Sequence, residues 1–234
     1  EGDIDMQGYE INNLASPLLA DDAATTGSVD GYPSSDAMLW VSTGGSDTEG
    51  DGSITRPYAT LSHAIDEATF GDVIMIMPGE YNEGTIAINS TAKNNIMIQG
   101  YGNYDSHPVV VNANITISGA DVTRIRMRDI QLSATSGYIL TIDGTECRHN
   151  FQNVSFNCDE GADGVRILDG ENWTTFKNCW IGALELAGTP VPPSWGPSTV
   201  YLDGGLIGPV NIQSDYLVMA TRLSRLFGAI THES

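Results

Sequence analysis

The chain has 234 residues, 41% of them hydrophobic, and its 10 Lys+Arg against 30 Asp+Glu set the formal net charge at −20. That is enough apolar chain for one large domain or two small ones with a real core, and 26 glycines beside 8% aromatics describe a folded, turn-rich chain rather than a disordered one. The charge argues against a nucleic-acid partner, whose binding needs lysines and arginines to displace counterions, and the longest purely apolar run, Val73–Met77, falls far short of the roughly 20 residues that cross a bilayer.

No basic-then-apolar leader opens the sequence, so a soluble chain is expected, with no membrane partner. Three cysteines, Cys147, Cys158 and Cys179, are an odd number without CxxC spacing. They predict reduced thiols in a core and neither a disulfide framework nor a zinc site. No cofactor is expected.

Residues 1–36 differ in texture from the rest of the chain. Ile4, Met6 and the Ile11–Leu14 stretch suggest short strands around a polar turn, then Pro17 and a helix start at Asp21 and Asp22. Alone this segment buries almost nothing. Its pattern of Asp5, Met6, Ile11, Asn13, Leu14, Pro17, Asp22, Ala23, Ala24 and Thr25 resembles the trimeric strand-and-helix element of bacteriophage tail fibres and tailspikes. The resemblance implies an attachment and trimerisation segment in which Met6, Ile11, Leu14 and Asp22 are fixed positions.

From residue 37 the texture changes. Val41 is a strand residue and the Gly/Asp/Ser run behind it is a loop. Leu61–Phe70 carries a helical apolar period at Leu61, Ala64, Ile65 and Ala68, and Val73–Met77 is a buried strand closed by Pro78-Gly79. Together, Trp40-Val41-Ser42-Thr43-Gly44-Gly45, Arg56-Pro57-Tyr58-Ala59-Thr60-Leu61 and Gly71-Asp72-Val73 through Tyr81 resemble the opening of pectate-lyase-like right-handed parallel β-helices. In such a fold the helix near 61–70 would cap the open end of the solenoid, where bare strand edges invite aggregation.

Beyond residue 80 the chain repeats. Met127-Arg-Asp-Ile-Gln-Leu132, Phe151-Gln-Asn-Val-Ser-Phe156 and Phe176-Lys-Asn-Cys-Trp-Ile181 recur at intervals of 24 and 25. A second motif, Ile117-Ser-Gly119, Ile142-Asp-Gly144, Leu168-Asp-Gly170 and Leu202-Asp-Gly204, recurs at 25, 26 and 34. The period predicts a right-handed parallel β-helix over 37–216 with about 25 residues per coil. Alternating pairs such as Ile86/Ile88, Ile96/Ile98, Ile115/Ile117, Ile125/Met127 and Val165/Ile167 send every second side chain inward. The proline-rich stretch 188–197 forbids regular pairing and reads as a projecting loop. In 217–234 the period lapses, and Leu217, Ala220, Leu223, Leu226 and Phe227 predict one apolar helical face, a cap or a subunit contact.

Cleavage of a polysaccharide would need acids gathered on the outer face, two carboxylates roughly 5 to 10 Å apart for hydrolysis. Asp143 and Asp169 occupy equivalent places in the second motif, Glu171 lies two residues on, and Asp159, Glu160 and Asp163 crowd one turn. Asp-Gly is also a preferred turn pair, and corners explain the phase better than catalysis does. A lyase would need a base, and only Arg148 and Arg166 lie nearby. Asp47, Glu49 and Asp51 resemble the first half of a calcium loop, but Tyr58 stands where the bidentate glutamate belongs, which leaves a weak cation site. His63, His107 and His149 are too separated for a metal triad. Asn153 and Asn178 share a phase and predict an inward amide ladder. Trp195, in the proline loop, suits sugar stacking or contact with a neighbouring subunit.

The functional expectation is a structural virion protein. It is a homotrimeric β-helix on the tail or capsid surface that contacts other virion proteins, stabilises the particle or adheres to cell-surface polysaccharide. A tailspike-type depolymerase using Asp143, Asp169 and Glu171 is the enzymatic rival, and a non-catalytic glycan receptor working through Trp195 is the third reading.

Overall fold

The computed structural model describes residues 38–102, 109–119, 122, 124–144, 147–158, 162–168, 173–187, 199–212, 217–220, 225–226 and 229–232. The attachment segment, with Met6, Ile11, Leu14 and Asp22, lies outside them, as do His107, Asp169, Glu171 and the loop bearing Trp195.

Described strands run in the order β1 Met38–Val41, β2 Val73–Ile76, β3 Gly79–Ile88, β4 Met97–Gly100, β5 Val109–Ser118, β6 Arg126–Ala134, β7 Gly137–Asp143, β8 Arg148–Cys158 and β9 Ala162–Ile167. They continue as β10 Trp173–Ile181, β11 Leu184–Leu186, β12 Thr199–Ile207, β13 Val210–Ile212, β14 Leu217–Ala220, β15 Arg225–Leu226 and β16 Ile230–His232. All their ladders are parallel. The fold is a parallel β-solenoid of about 25 residues per turn.

Register resolves the wall into three faces. On the first, Ile74, Ile98, Met127, Phe151, Phe176 and Leu202 stack through successive pairings, at intervals of 24, 29, 24, 25 and 26 residues. The second carries Tyr81, Val111, Leu132, Phe156, Ile181 and Ile207. The third carries Ile88, Ile117, Ile142, Ile167, Leu186 and Ile212. Alternation along each strand puts these side chains inside, so the core is a stack of one-residue layers. Phe151 and Phe176 stack at 5.1 Å and 15°, and Phe156 meets both edge-on at 5.9 Å. Such aromatic contacts add about 1 kcal/mol each to the burial itself.

The strands β6, β8, β10 and β12 run unbroken from the first face to the second because a left-handed residue turns the corner at the same register position in each. These are Asp129 (φ 58°), Asn153 (φ 54°), Asn178 (φ 51°) and Gly204 (φ 77°), followed in β12 by a second, Gly205 (φ 94°). Asn and Asp tolerate this conformation, and glycine adopts it freely. The amide ladder expected at Asn153 and Asn178 therefore exists, with Asn153 Nδ2 donating to Asp129 Oδ1 at 2.9 Å and Asn178 Nδ2 to Asn153 Oδ1 at 3.5 Å. It does not point inward as expected. Asn153 is half-buried and Asn178 exposed, because a corner faces solvent.

Helix α1, Leu61–Glu67, packs on β1, β2 and β3 and buries Leu61, Ala64 and Ile65, with Ala68 just beyond it. Thr60 caps it, its Oγ1 accepting from His63 N at 3.1 Å. Glu83 accepts from Leu61 N at 2.6 Å and Ser62 N at 2.7 Å. Burial raises the Glu83 pKa, those two bonds oppose the rise, and the charge of Asp47 adds to it.

Two other expectations fail. Within 217–234 the described elements are strands and not a helix: β14 pairs with β12, β15 with β12 and β16 with β13, so the ladders continue through Ile230–His232. An apolar spacing at Leu217, Ala220 and Leu226 fits short strands equally well, and existing strand edges supply their hydrogen bonds. The second motif is also not one column. Ile142 pairs with Ile167, not Leu168, whereas Leu202 pairs with Phe176 on another face. The 34-residue interval thus joins two different ladders.

Candidate functional site

The outward positions of the first face carry an unusual set of side chains. Alternating with the buried ladder, β6 presents Arg126 and Arg128, β8 presents Arg148, Asn150 and Gln152, β10 presents Trp173, Thr175 and Lys177, and β12 presents Tyr201 and Asp203. Because these strands are adjacent and parallel, residues scattered between positions 126 and 203 become neighbours at the roughly 4.8 Å strand spacing.

At its centre Trp173, 49% exposed, stacks on Tyr201 with ring centroids 5.0 Å apart and planes 19° from parallel. The Arg148 guanidinium carbon stands 6.0 Å from the centre of the indole. Guanidinium, indole and phenol thus form one row crossing β8, β10 and β12. Exposed rings are uncommon on a solvated strand, since they leave large apolar area in water. Around the row, Arg126 donates to Asn95 O at 3.0 Å and Arg128 Nε to Asp129 Oδ2 at 3.0 Å. These contacts hold two of the cations at the near edge of the face.

Beneath the row lies His149, the inward residue between Arg148 and Asn150. Its Nδ1 accepts from Ile125 N at 3.2 Å, and burial lowers its pKa to about 4. It is a neutral packing residue, in keeping with the sequence reading. Cys147 and Cys179 are buried, and Cys158 is partly buried. Burial pushes the Cys179 thiol up to about 12, so it is inert.

Of the acids singled out from sequence, Asp143 and Asp163 lie within the described residues, and Asp159, Glu160, Asp169 and Glu171 lie outside them. Asp143 is exposed at the end of β7 and pairs with Ser118. The Ile142–Ile167 pairing, with Leu168 N donating to Ile142 O at 2.8 Å, sets Asp143 level with Leu168. Arg166 is engaged elsewhere, lying 5.0 Å from the Tyr138 ring and 3.6 Å from Glu185 Oε1, while the Tyr138 hydroxyl donates to Glu185 Oε2.

Nor do Asp47, Glu49 and Asp51 gather around a common point. Asp47 Oδ1 accepts from Ala59 N (2.7 Å) and Thr60 N (3.1 Å), and Oδ2 from Thr60 Oγ1 (2.8 Å). Asp51 accepts from Ser53 N and pairs with Arg56, whose guanidinium also donates to Glu49 O. The loop is closed by its own donors, and among the described residues no cluster of three His, Cys, Asp or Glu is arranged to hold a metal ion. No described helix is long and apolar enough to cross a membrane.

No protein-family model matches the chain. It is 33% identical over 148 residues to the uncharacterized protein YwoF of Bacillus subtilis strain 168. That alignment covers 63% of this chain and 29% of YwoF, so the chain spans under a third of that relative's length. Among solved structures it is similar to the pectin methylesterase PemA of Erwinia chrysanthemi, at 16% identity and a TM-score of 0.42, over 75% of this chain and 55% of that one. It is also similar to the pectin methylesterase of carrot, at 16% identity and a TM-score of 0.38, over 75% and 63%.

Proposed function

We propose that the outward side of the first face binds polysaccharide. The row of Arg148, Trp173 and Tyr201 supports this reading most directly. Rings that carry both apolar area and a polar edge are favoured where a surface meets a partner, and the amides of Asn150 and Gln152 beside them offer both donors and acceptors to sugar hydroxyls. A parallel sheet is a flat, repetitive support suited to a repetitive ligand. Trp173→Ala and Tyr201→Ala are expected to weaken binding in calorimetry against a panel of bacterial surface polysaccharides about tenfold each, with unchanged circular dichroism. Undiminished binding by both variants overturns the assignment.

The wider setting rests on residues 1–36, whose likeness to the tail-fibre element supports a homotrimeric particle-surface appendage. In this reading the solenoid is the adhesive part of a virion tail or capsid protein, and its partners are two further copies, other virion proteins and a cell-surface glycan. Trp195, on the connection between β11 and β12, is a further glycan or subunit contact. Sedimentation should give three times 25.0 kDa for the intact chain, and a stable monomer refutes the trimer. The reading is binding, carried by the row of Arg148, Trp173 and Tyr201; of the residues of the enzymatic rival, Asp169 and Glu171 lie outside the described residues.

A further inference from the structure

The charged side chains of the chain are sorted by face. Four of its ten Lys+Arg, namely Arg126, Arg128, Arg148 and Lys177, point outward on the first face of β6, β8 and β10. Among the described Asp+Glu, only Asp203 on β12 shares those outward positions; Glu146 and Glu171 lie outside the described residues. Among the described residues the local balance is 4 − 1 = +3, or 4 − 2 = +2 with Asp129 at the corner included, in a chain whose total over all residues is −20. At the chain's ratio of three acids per base, a face with five charged positions would on average be net negative.

Hydrogen-bonding chemistry points the same way. Arginine, lysine and the tryptophan indole donate and cannot accept, so the centre of the face is donor-rich. The cations occupy three successive coils, which spreads them over roughly 10 Å along the solenoid axis. That spread suits a chain of charges crossing the strands, not a single small anion. From these observations, and resting on the glycan-binding reading above, we infer that the ligand of this face is an anionic polysaccharide, one whose successive sugars bear carboxylate or sulfate groups, lying along the solenoid axis.

The rest of the molecule gives this patch a selective role. A protein of net charge −20 repels polyanions at a distance, so only a ligand that also meets the aromatic row overcomes that repulsion. The charge that excludes nucleic acid thereby becomes a filter against polyanions lacking sugar rings shaped to the row.

The test uses the full chain and matched polymers: hyaluronate against its carboxyl-reduced form, and dextran sulfate against dextran, with a single-stranded oligonucleotide as a polyanion lacking the pyranose repeat. Binding is measured by calorimetry at two salt concentrations. The inference expects at least one acidic member to bind on the order of tenfold more tightly than its neutral partner, with affinity falling as salt rises. Which acidic member wins distinguishes carboxylate from sulfate recognition. Arg148→Gln and Lys177→Gln should each reduce the preference several-fold, and Arg56→Gln, in the loop behind β1, should not. Equal binding of acidic and neutral partners overturns the inference and leaves glycan binding standing. No binding to any polymer overturns both, and oligonucleotide binding equal to that of the best polysaccharide replaces the inference with a general polyanion site.

Discussion

Asn153 donates its side-chain amide to Asp129 of the preceding coil at 2.9 Å while both residues hold left-handed backbone at the same corner. Side-chain chemistry and backbone conformation are thus coupled, since Asn and Asp satisfy both demands and larger residues meet neither. Asn153→Ala should lose about 2 kcal/mol, from the hydrogen bond and from placing alanine at positive φ. Asn153→Gly removes the bond and keeps the turn, so its loss should be about half as large. Urea midpoints distinguish the two, and equal losses mean that the corner conformation carries no penalty.

Phe176 is the middle of an aromatic cluster, stacked on Phe151 and edge-on to Phe156. It is 1% exposed. Truncation to alanine opens a void in a layer with rigid neighbours above and below, and about 3 to 5 kcal/mol should be lost. Phe176→Leu should cost less than half of that, as measured by equilibrium unfolding.

His149 gives the fold a defined acid response. Its ordinary value is 6.5 and its folded value about 4, so between those pH values the unfolded chain binds a proton that the native chain does not. Stability should therefore fall as pH drops from about 6.5 towards 4, by at most about 3 kcal/mol from this group. His149→Asn should flatten that part of the profile, and an unchanged slope assigns it to other groups.

Asp47 acts lower on the pH scale. Burial works to raise its pKa, but the bonds from Thr60 and Ala59 outweigh burial and lower it overall. Its contribution is present above the ordinary carboxylate value near 3.8 and is lost as pH falls through its folded value. Asp47→Ala frees the backbone at Ala59 and Thr60, where α1 begins. Faster amide exchange confined to residues 59–68, with β6–β10 unaffected, is the expected signature.

Much of the fold was legible because inward positions obey a strict period. The Met127, Phe151, Phe176 column and the helix at Leu61, Ala64 and Ile65 could be read directly, since burial demands the same residue class at each return. Corners and exteriors follow looser rules. Leu168-Asp169-Gly170 mimicked the motif of Ile142-Asp143-Gly144 although Ile167 is the true partner, because neighbouring Ile and Leu both satisfy an apolar pattern.

The cationic face stayed hidden for a different reason. Arg126, Arg148 and Lys177 lie up to 51 residues apart in sequence (177 − 126) and become neighbours only after coiling. The total charge of −20 pointed away from any basic surface. A column-by-column sum of charges at the repeat period would have exposed it, given the correct register.

The connections from the third face back to the first are 89–96, 119–125, 144–147, 168–172, 187–198 and 213–216, from 4 to 12 residues long by subtraction, while the strands they join keep step. Four of them lead into β6, β8, β10 and β12, the strands that carry the cationic and aromatic side chains. Insertions here leave the internal layers untouched. The architecture therefore separates what must be inherited unchanged from what is free to diversify, and a lineage of such proteins can acquire new ligand preferences by lengthening one edge without relearning how to fold.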